Sequence, residues 1–171
     1  MRNTALLAVL PALLLSTPAM AKEFPIGGPV THEGMEISAA WLEGISVSPG
    51  LSSMVMGKEV IHLESDIHAT QGNKWGFSNG EWIPYLTIDY QITRQGDSDF
   101  NAFGQLLPMI ARDGTHYAHS VKMPGPGVYT VKLKYTPPDE KGFLRHVDKE
   151  TGVPAWFTPF TETFTFTYPA K

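Results

Sequence analysis

Cysteine is absent from the 171-residue sequence. Its absence excludes disulfides, thiolate zinc sites, iron–sulfur clusters, a thiol nucleophile and any copper site built on a thiolate. Positive charge is not in excess either, since 13 Lys and Arg stand against 17 Asp and Glu. A protein that binds nucleic acid through phosphate contacts needs a basic surface. The composition therefore predicts no nucleic-acid partner.

The apolar run near the N-terminus is too short for a transmembrane helix. A basic start, Met1–Asn3, precedes the run Ala5–Leu15, which falls well short of the roughly 20 residues that span a bilayer. Small residues follow at Ala19 and Ala21, the two positions that a signal peptidase reads. This pattern predicts a cleaved signal peptide at residues 1–21 and one mature domain at residues 22–171. An exported chain without cysteine fits the bacterial periplasm.

Familiar catalytic motifs are also missing from the sequence. It contains no G-x-S-x-G elbow, no phosphate-binding loop, no G-x-G-x-x-G fingerprint after a strand and no H-E-x-x-H helix. We therefore leave any enzymatic activity open and regard catalysis as the less favoured interpretation.

Glycine and proline are frequent, with 16 and 14 residues. Wherever the alternation of apolar and polar residues is regular, it has the period of two that is typical of strands. About seven short strands separated by turn residues predict an immunoglobulin-like antiparallel β-sandwich. Residues 138–159 lack a clear period and predict an irregular segment with one helical turn. The predicted strands are Gly34–Leu42, Val60–Ala69, Trp82–Ile92, Gly104–Arg112, Gly127–Thr136 and Thr163–Tyr168.

Two segments contain metal-ligating residue types at informative spacings. Alternation along residues 62–68 places four polar side chains on one strand face, about 7 Å apart between alternate positions, where two can reach one metal ion. A solvated strand face is the competing interpretation. In the second segment, a turn at Asp113–Gly114 would bring Met109 and His116 side by side, although methionine usually fills a core. The four polar residues of the first segment are His62, Glu64, Asp66 and His68.

Together these segments resemble one family, the periplasmic iron-transport proteins of bacteria that are encoded beside FTR-type iron permeases and are sometimes called FetP-like. The resemblance spans nearly the whole mature chain in the order that the family has. The matching segments are Gly34–Ile37, His62–Ala69, Trp82–Leu86, Pro108–Tyr117 and Arg145–Val153.

The resemblance implies an immunoglobulin-like homodimer that binds copper and helps to deliver iron to an inner-membrane iron permease. It also implies a second metal site, for iron or manganese, close to the copper. We assign Glu64, Asp113 and Glu23 to that second site as candidates. The copper ligands that the resemblance implies are His62, Met109, His116 and His146, with Glu64 as a nearby or additional ligand.

The donor types agree with this assignment independently of the resemblance. Imidazoles with a thioether suit both oxidation states of copper, whereas iron and manganese favour carboxylate oxygens. A periplasmic copper carrier or copper-tolerance protein without an iron role is the alternative function. A third interpretation, a carbohydrate-binding or adhesion sandwich, would need an exposed aromatic platform built from Trp41, Trp75, Trp82 and Trp156.

Overall fold

The computed structural model describes residues 22–169, so the predicted signal peptide lies outside the described residues. All pairings between the strands of this part of the chain are antiparallel, and the only helix in it is a short 3-10 helix at Pro138–Lys141. The antiparallel all-β prediction is therefore confirmed. The strands are β1 (Glu23–His32), β2 (Met35–Glu43), β3 (Val60–Ala69), β4 (Thr87–Arg94), β5 (Asp97–Ala111), β6 (Gly114–Lys122), β7 (Gly127–Thr136) and β8 (Phe160–Tyr168).

The eight strands form one sheet in the order β1-β2-β3-β6-β5-β4-β7-β8. The long strand β5 makes this possible, because residues 97–106 pair with β4 and residues 107–111 pair with β6. The two edge strands also meet: the His32 ring of β1 stacks on Phe160 of β8 with 3.7 Å between ring centroids. The sheet thus nearly closes on itself, and the immunoglobulin-like arrangement of two sheets stays a prediction.

The core lies inside this curved sheet and is rich in aromatic and branched side chains. The inward residues of β7 are Tyr129, Val131, Leu133 and Tyr135, all fully buried, as the alternation along that strand predicts. Trp41 and Trp75 are also buried in this core. They therefore cannot belong to an exposed carbohydrate platform.

Some predicted boundaries differ from the observed ones for local reasons. The strand predicted to begin at Trp82 begins at Thr87, because Pro84 lacks a backbone donor and Tyr85 has a positive φ of 61°. Strand β1 is absent from the prediction, since its prolines and glycines are typical of turns and fit only an edge strand. The helical turn expected after Pro138 is present. No helix among residues 22–169 is long and apolar enough to cross a membrane.

Candidate metal centre

Neighbouring strands β3 and β6 bring two histidines and a glutamate together. Glu64 pairs with Ala118 across these strands, so His116, two residues from Ala118, lies on the same face as His62 and Glu64. One ligand atom from each of His62, Glu64 and His116 lies within 4.8 Å of the others. His116 Nε2 is 3.8 Å from Glu64 Oε2, and the two imidazole rings are nearly perpendicular, with centroids 5.9 Å apart. A single metal ion fits between groups at this spacing.

This cluster is buried. His62, Glu64 and His116 are only 5%, 8% and 8% exposed, which rules out the solvated strand face for the first two residues. The Nδ1 atom of His62 is buried and has no hydrogen-bond partner in the described part of the chain. A buried polar atom without a partner costs free energy, and a metal ion would satisfy it.

Met109 reaches the same cluster from strand β5. A turn at Arg112 and Asp113 joins β5 to β6 and pairs Met109 directly with His116. Side chains at such paired positions have Cβ atoms about 4.5–5.5 Å apart. Met109 lines one cleft together with His62, Glu64 and His116, and residues 44–48 line its other wall. We name this cleft the histidine cleft.

The electrostatics of the cluster favour a bound cation. Burial, followed by the neighbouring His116 and His119, lowers the pKa of His62 to about 4, so its imidazole is neutral at pH 7. Burial raises the pKa of Glu64 to about 8, and the nearby carboxylates of Asp66, Glu23 and Asp113 act in the same direction. A neutral imidazole is ready to ligate a metal, and a cation would offset the repulsion around Glu64.

A second cleft, which we name the carboxylate cleft, adjoins the first. The three residues predicted for a second metal site, Glu23, Glu64 and Asp113, all line it. Glu64, Asp113 and His116 line both clefts, so the two lie side by side. This neighbourhood is rich in the oxygen donors that iron and manganese favour.

The second-site prediction omitted two residues that also line the carboxylate cleft, Asp66 and His68. His68 Nδ1 is 3.0 Å from the carbonyl oxygen of Gly80. Because a carbonyl only accepts, Nδ1 donates this hydrogen bond, which in the neutral imidazole leaves the Nε2 lone pair for a metal, an arrangement common in metal-binding histidines. The period-two spacing from Glu64 was the signal that could have identified both residues.

His146 lies apart from the other predicted copper ligands within one chain. It follows the 3-10 helix on a loop, its side chain is 75% exposed, and its Nδ1 is 2.7 Å from Thr151 Oγ1. It is not among the residues that line either cleft. One chain therefore brings together His62, Glu64, Met109 and His116 without it.

Comparison with known proteins agrees with this geometry. A family model described as "Fe2+ transport protein" matches residues 20–170. A UPF0423 protein of Brucella abortus is 43% identical over 169 residues, which cover 97% of this chain and 92% of that protein.

Two solved structures are similar over most of the chain. The first is a copper-bound glutamate-to-glutamine variant of FetP from uropathogenic Escherichia coli, with 43% identity, a TM-score of 0.82, and coverage of 88% of this chain and 99% of that one. The second is copper-reconstituted P19 from Campylobacter jejuni, with 41% identity, a TM-score of 0.81, and coverage of 86% and 97%. The chain therefore belongs to the family of Fe2+ transport proteins.

Proposed function

We propose that this protein is a periplasmic copper-binding protein of high-affinity iron uptake, which presents or redox-processes iron for an inner-membrane iron permease of the FTR type. The observation that carries the proposal is the buried cluster of His62, Glu64 and His116, in which one ligand atom of each residue lies within 4.8 Å of the others. Beside this cluster is a cleft lined by further carboxylates. Membership of an iron-transport family and the copper-bound relatives support it.

Copper fits the donors of the histidine cleft. His62, Met109 and His116 would hold it, because imidazole and thioether donors together suit both Cu(I) and Cu(II). The partnerless Nδ1 of His62 is a donor atom that such an ion would satisfy. Copper in this position would supply a one-electron couple next to the iron cargo.

Iron or manganese fits the carboxylate cleft. Glu23, Glu64 and Asp113 are the proposed ligands there, and Asp66 stands next to them. Burial raises the pKa of both Glu64 and Asp66, and the Asp113 carboxylate acts in the same direction on each, although His116 and His68 oppose it at Asp66. A bound cation would offset the repulsion between these carboxylates, so the carboxylate cleft favours binding of a cation. Because Glu64 lines both clefts, it is the group that we expect to join the two metal sites.

We further propose that the functional unit is an immunoglobulin-like homodimer, whose mature chain begins after the signal peptide at residues 1–21. The loop of His146 supports this assembly: Leu144 and Val147 are 89% and 75% exposed, and Ile110, next to Met109, is 78% exposed. A contiguous patch of exposed apolar side chains marks an interaction surface, and we propose that these three residues belong to one. A second copy that covers these residues would bring its own His146 to the histidine cleft.

Equilibrium dialysis with both metals tests the proposed function. Dialysis of the metal-free protein against copper and Mn(II) should leave about one ion of each per chain, because each cleft has its own donor set. Copper without manganese would favour the alternative, a copper carrier with no iron role. Iron uptake by cells that contain the permease, measured with and without this protein, tests the transport step.

Replacing Met109 with leucine should separate the two oxidation states of copper. The substitution conserves volume and apolarity, so the free energy of unfolding should change by only about 1 kcal/mol. Loss of the thioether should weaken Cu(I) more than Cu(II) and favour the oxidised form. Competition titrations with both ions measure this difference, and an unchanged Cu(I) affinity would remove Met109 from the site.

The proposed dimer predicts complementation between two defective chains. His146→Ala and His116→Gln should each bind copper weakly when pure. After subunit exchange in an equimolar mixture, about a quarter of the sites should regain wild-type affinity, because mixed two-fold dimers form half of the population and each has one intact site. No recovery of tight copper binding would show that His146 does not act across an interface.

A further inference from the structure

Two methionines lie on the exposed loop whose first residues line the histidine cleft. The loop spans residues 44–59, between the end of β2 and the start of β3. Met56 is 59% exposed and its neighbour Val55 is 48% exposed, while Met54 is half-buried. Methionine is normally among the most buried residues, as Met35 and Met123 are here, both fully buried. Thioethers that face solvent on this loop therefore invite a functional explanation.

The spacing of this methionine pair, Met54 and Met56, suits one shared ion. Residues 55–57 have no regular secondary structure. Met54 closes a turn in which its N–H donates to the Leu51 carbonyl oxygen over 2.9 Å. In any backbone conformation, the Cα atoms of Met54 and Met56 are at most about 7 Å apart. Methionine has three rotatable side-chain bonds, so both sulfur atoms can turn toward a common point. Thioethers are soft ligands that select Cu(I) over Cu(II), iron and manganese.

The loop joins the methionine pair to the histidine cleft at both ends. Its first residues, 44–48, form a wall of that cleft, and its last residue precedes the strand that holds His62. His62 lies six positions after Met56, so their Cα atoms are at most about 20 Å apart. An ion released by the pair is thus close to the donors of the cleft, at a high effective concentration.

From these observations we infer that Met54 and Met56 form an entry site that captures Cu(I) and passes it to His62, Met109 and His116. The transfer is an exchange of ligands: Cu–S bonds to the methionine pair break as bonds to the cleft donors form, and the oxidation state does not change. The transfer rests on the copper site proposed above. Capture by the methionine pair does not.

Methionine-methyl NMR with Ag(I), a redox-inert substitute for Cu(I), tests capture. The Met109 methyl should shift with the first equivalent, and the Met54 and Met56 methyls should shift together with the second. Met35 and Met123 serve as internal controls because they are buried. The variant Met54→Leu should abolish the shift of Met56, since two thioethers share the ion. A Met56 shift that persists in this variant, or silence of both loop methyls, would overturn the inference.

The same spectra separate this inference from the proposed copper site. A shift of Met109 without Met54 and Met56 leaves the copper site standing and removes the entry site. A shift of the Met54 and Met56 methyls without a shift of the Met109 methyl supports capture by the methionine pair and removes the proposed copper site. Each outcome thus points to one site only.

Loading kinetics test the transfer itself. With a micromolar Cu(I) donor, Met54→Leu/Met56→Leu should fill the histidine cleft about tenfold more slowly, with unchanged final affinity, because capture in the same molecule no longer raises the local concentration. The control Leu51→Ala/Val55→Ala removes exposed apolar groups from the same loop and keeps both thioethers. Equal loading rates for the methionine variant and the wild type would contradict the transfer.

Discussion

Replacing His116 with glutamine should lower copper affinity by about 100-fold or more. Loss of a residue that merely orients a metal ligand typically costs 10–100-fold in affinity, and His116 is itself a proposed ligand, with its Nε2 3.8 Å from Glu64 Oε2. Glutamine is close in size, so the fold should persist. Competition titrations of wild type and variant with a chelator of known copper affinity give the ratio of the two dissociation constants.

His119 offers a matched control on the same strand. It pairs with Leu63 and faces the opposite side of the sheet, where its Nδ1 lies 3.4 Å from Tyr90 Oη. His119→Gln should leave copper affinity nearly unchanged. Similar losses in both variants would mean that His116 acts through stability rather than ligation, and no loss in either would remove His116 from the site.

Replacing Glu64 with glutamine should weaken the second metal far more than copper. Glutamine keeps the shape of the side chain but cannot become the anionic carboxylate that we expect to join the two metal sites when ions are bound. We expect binding of Fe(II) or Mn(II) to fall by about 100-fold, and binding of copper, still held by imidazoles and a thioether, by about tenfold or less. Paired titrations of both metals into wild type and variant measure the split. Equal losses would make Glu64 an ordinary copper ligand.

The same substitution should stabilise the metal-free protein as pH rises. Folding raises the pKa of Glu64 from 4.5 to about 8. Between pH 4.5 and pH 8, Glu64 therefore keeps a proton in the folded chain that it has released in the unfolded chain. Stability from this group is therefore lost as pH rises from 4.5 to 8. Glu64→Gln removes that loss, so its advantage should grow from near zero at pH 4.5 to a few kcal/mol at pH 8. Each step of one pH unit within that window adds at most about 1.4 kcal/mol to the advantage.

Denaturant unfolding at several pH values, in the presence of a chelator, measures this advantage. Glu36→Gln is the matched control, because Glu36 lies on the neighbouring strand with its side chain exposed. Its effect on the free energy of unfolding should stay within about 0.5 kcal/mol at every pH. If the free energy of unfolding of Glu64→Gln changes with pH no more than that of the control, folding does not raise the pKa of Glu64.

Local sequence signals predicted the bounds of β3, which holds His62 and Glu64, and of β7. Val60–Ala69 and Gly127–Thr136 have the predicted bounds, because their turns and alternation are clear. The hairpin of Met109 and His116 likewise follows from a short polar turn between two strands. These signals are local, so they are readable without knowledge of the tertiary fold.

Features that depend on distant contacts were not predictable in the same way. The cleft that contains His62 and Glu64 is lined by residues 44–48 and by residues of the β5–β6 hairpin, which come from other parts of the sequence. The sharing of β5 between β4 and β6 depends on which strands meet in three dimensions. The sequence also gave no signal that His146 lies outside the clefts of its own chain. A charged loop has the same sequence pattern whether or not it lines such a cleft.

Anomalous diffraction from crystals soaked with copper and manganese would locate both ions in the protein. We predict a copper peak within bonding distance of His62, Met109 and His116, and a manganese peak in the adjoining cleft among Glu23, Glu64 and Asp113. A copper peak away from His62 and His116, or manganese bound only at the surface of the protein, would contradict the proposed pair of metal sites.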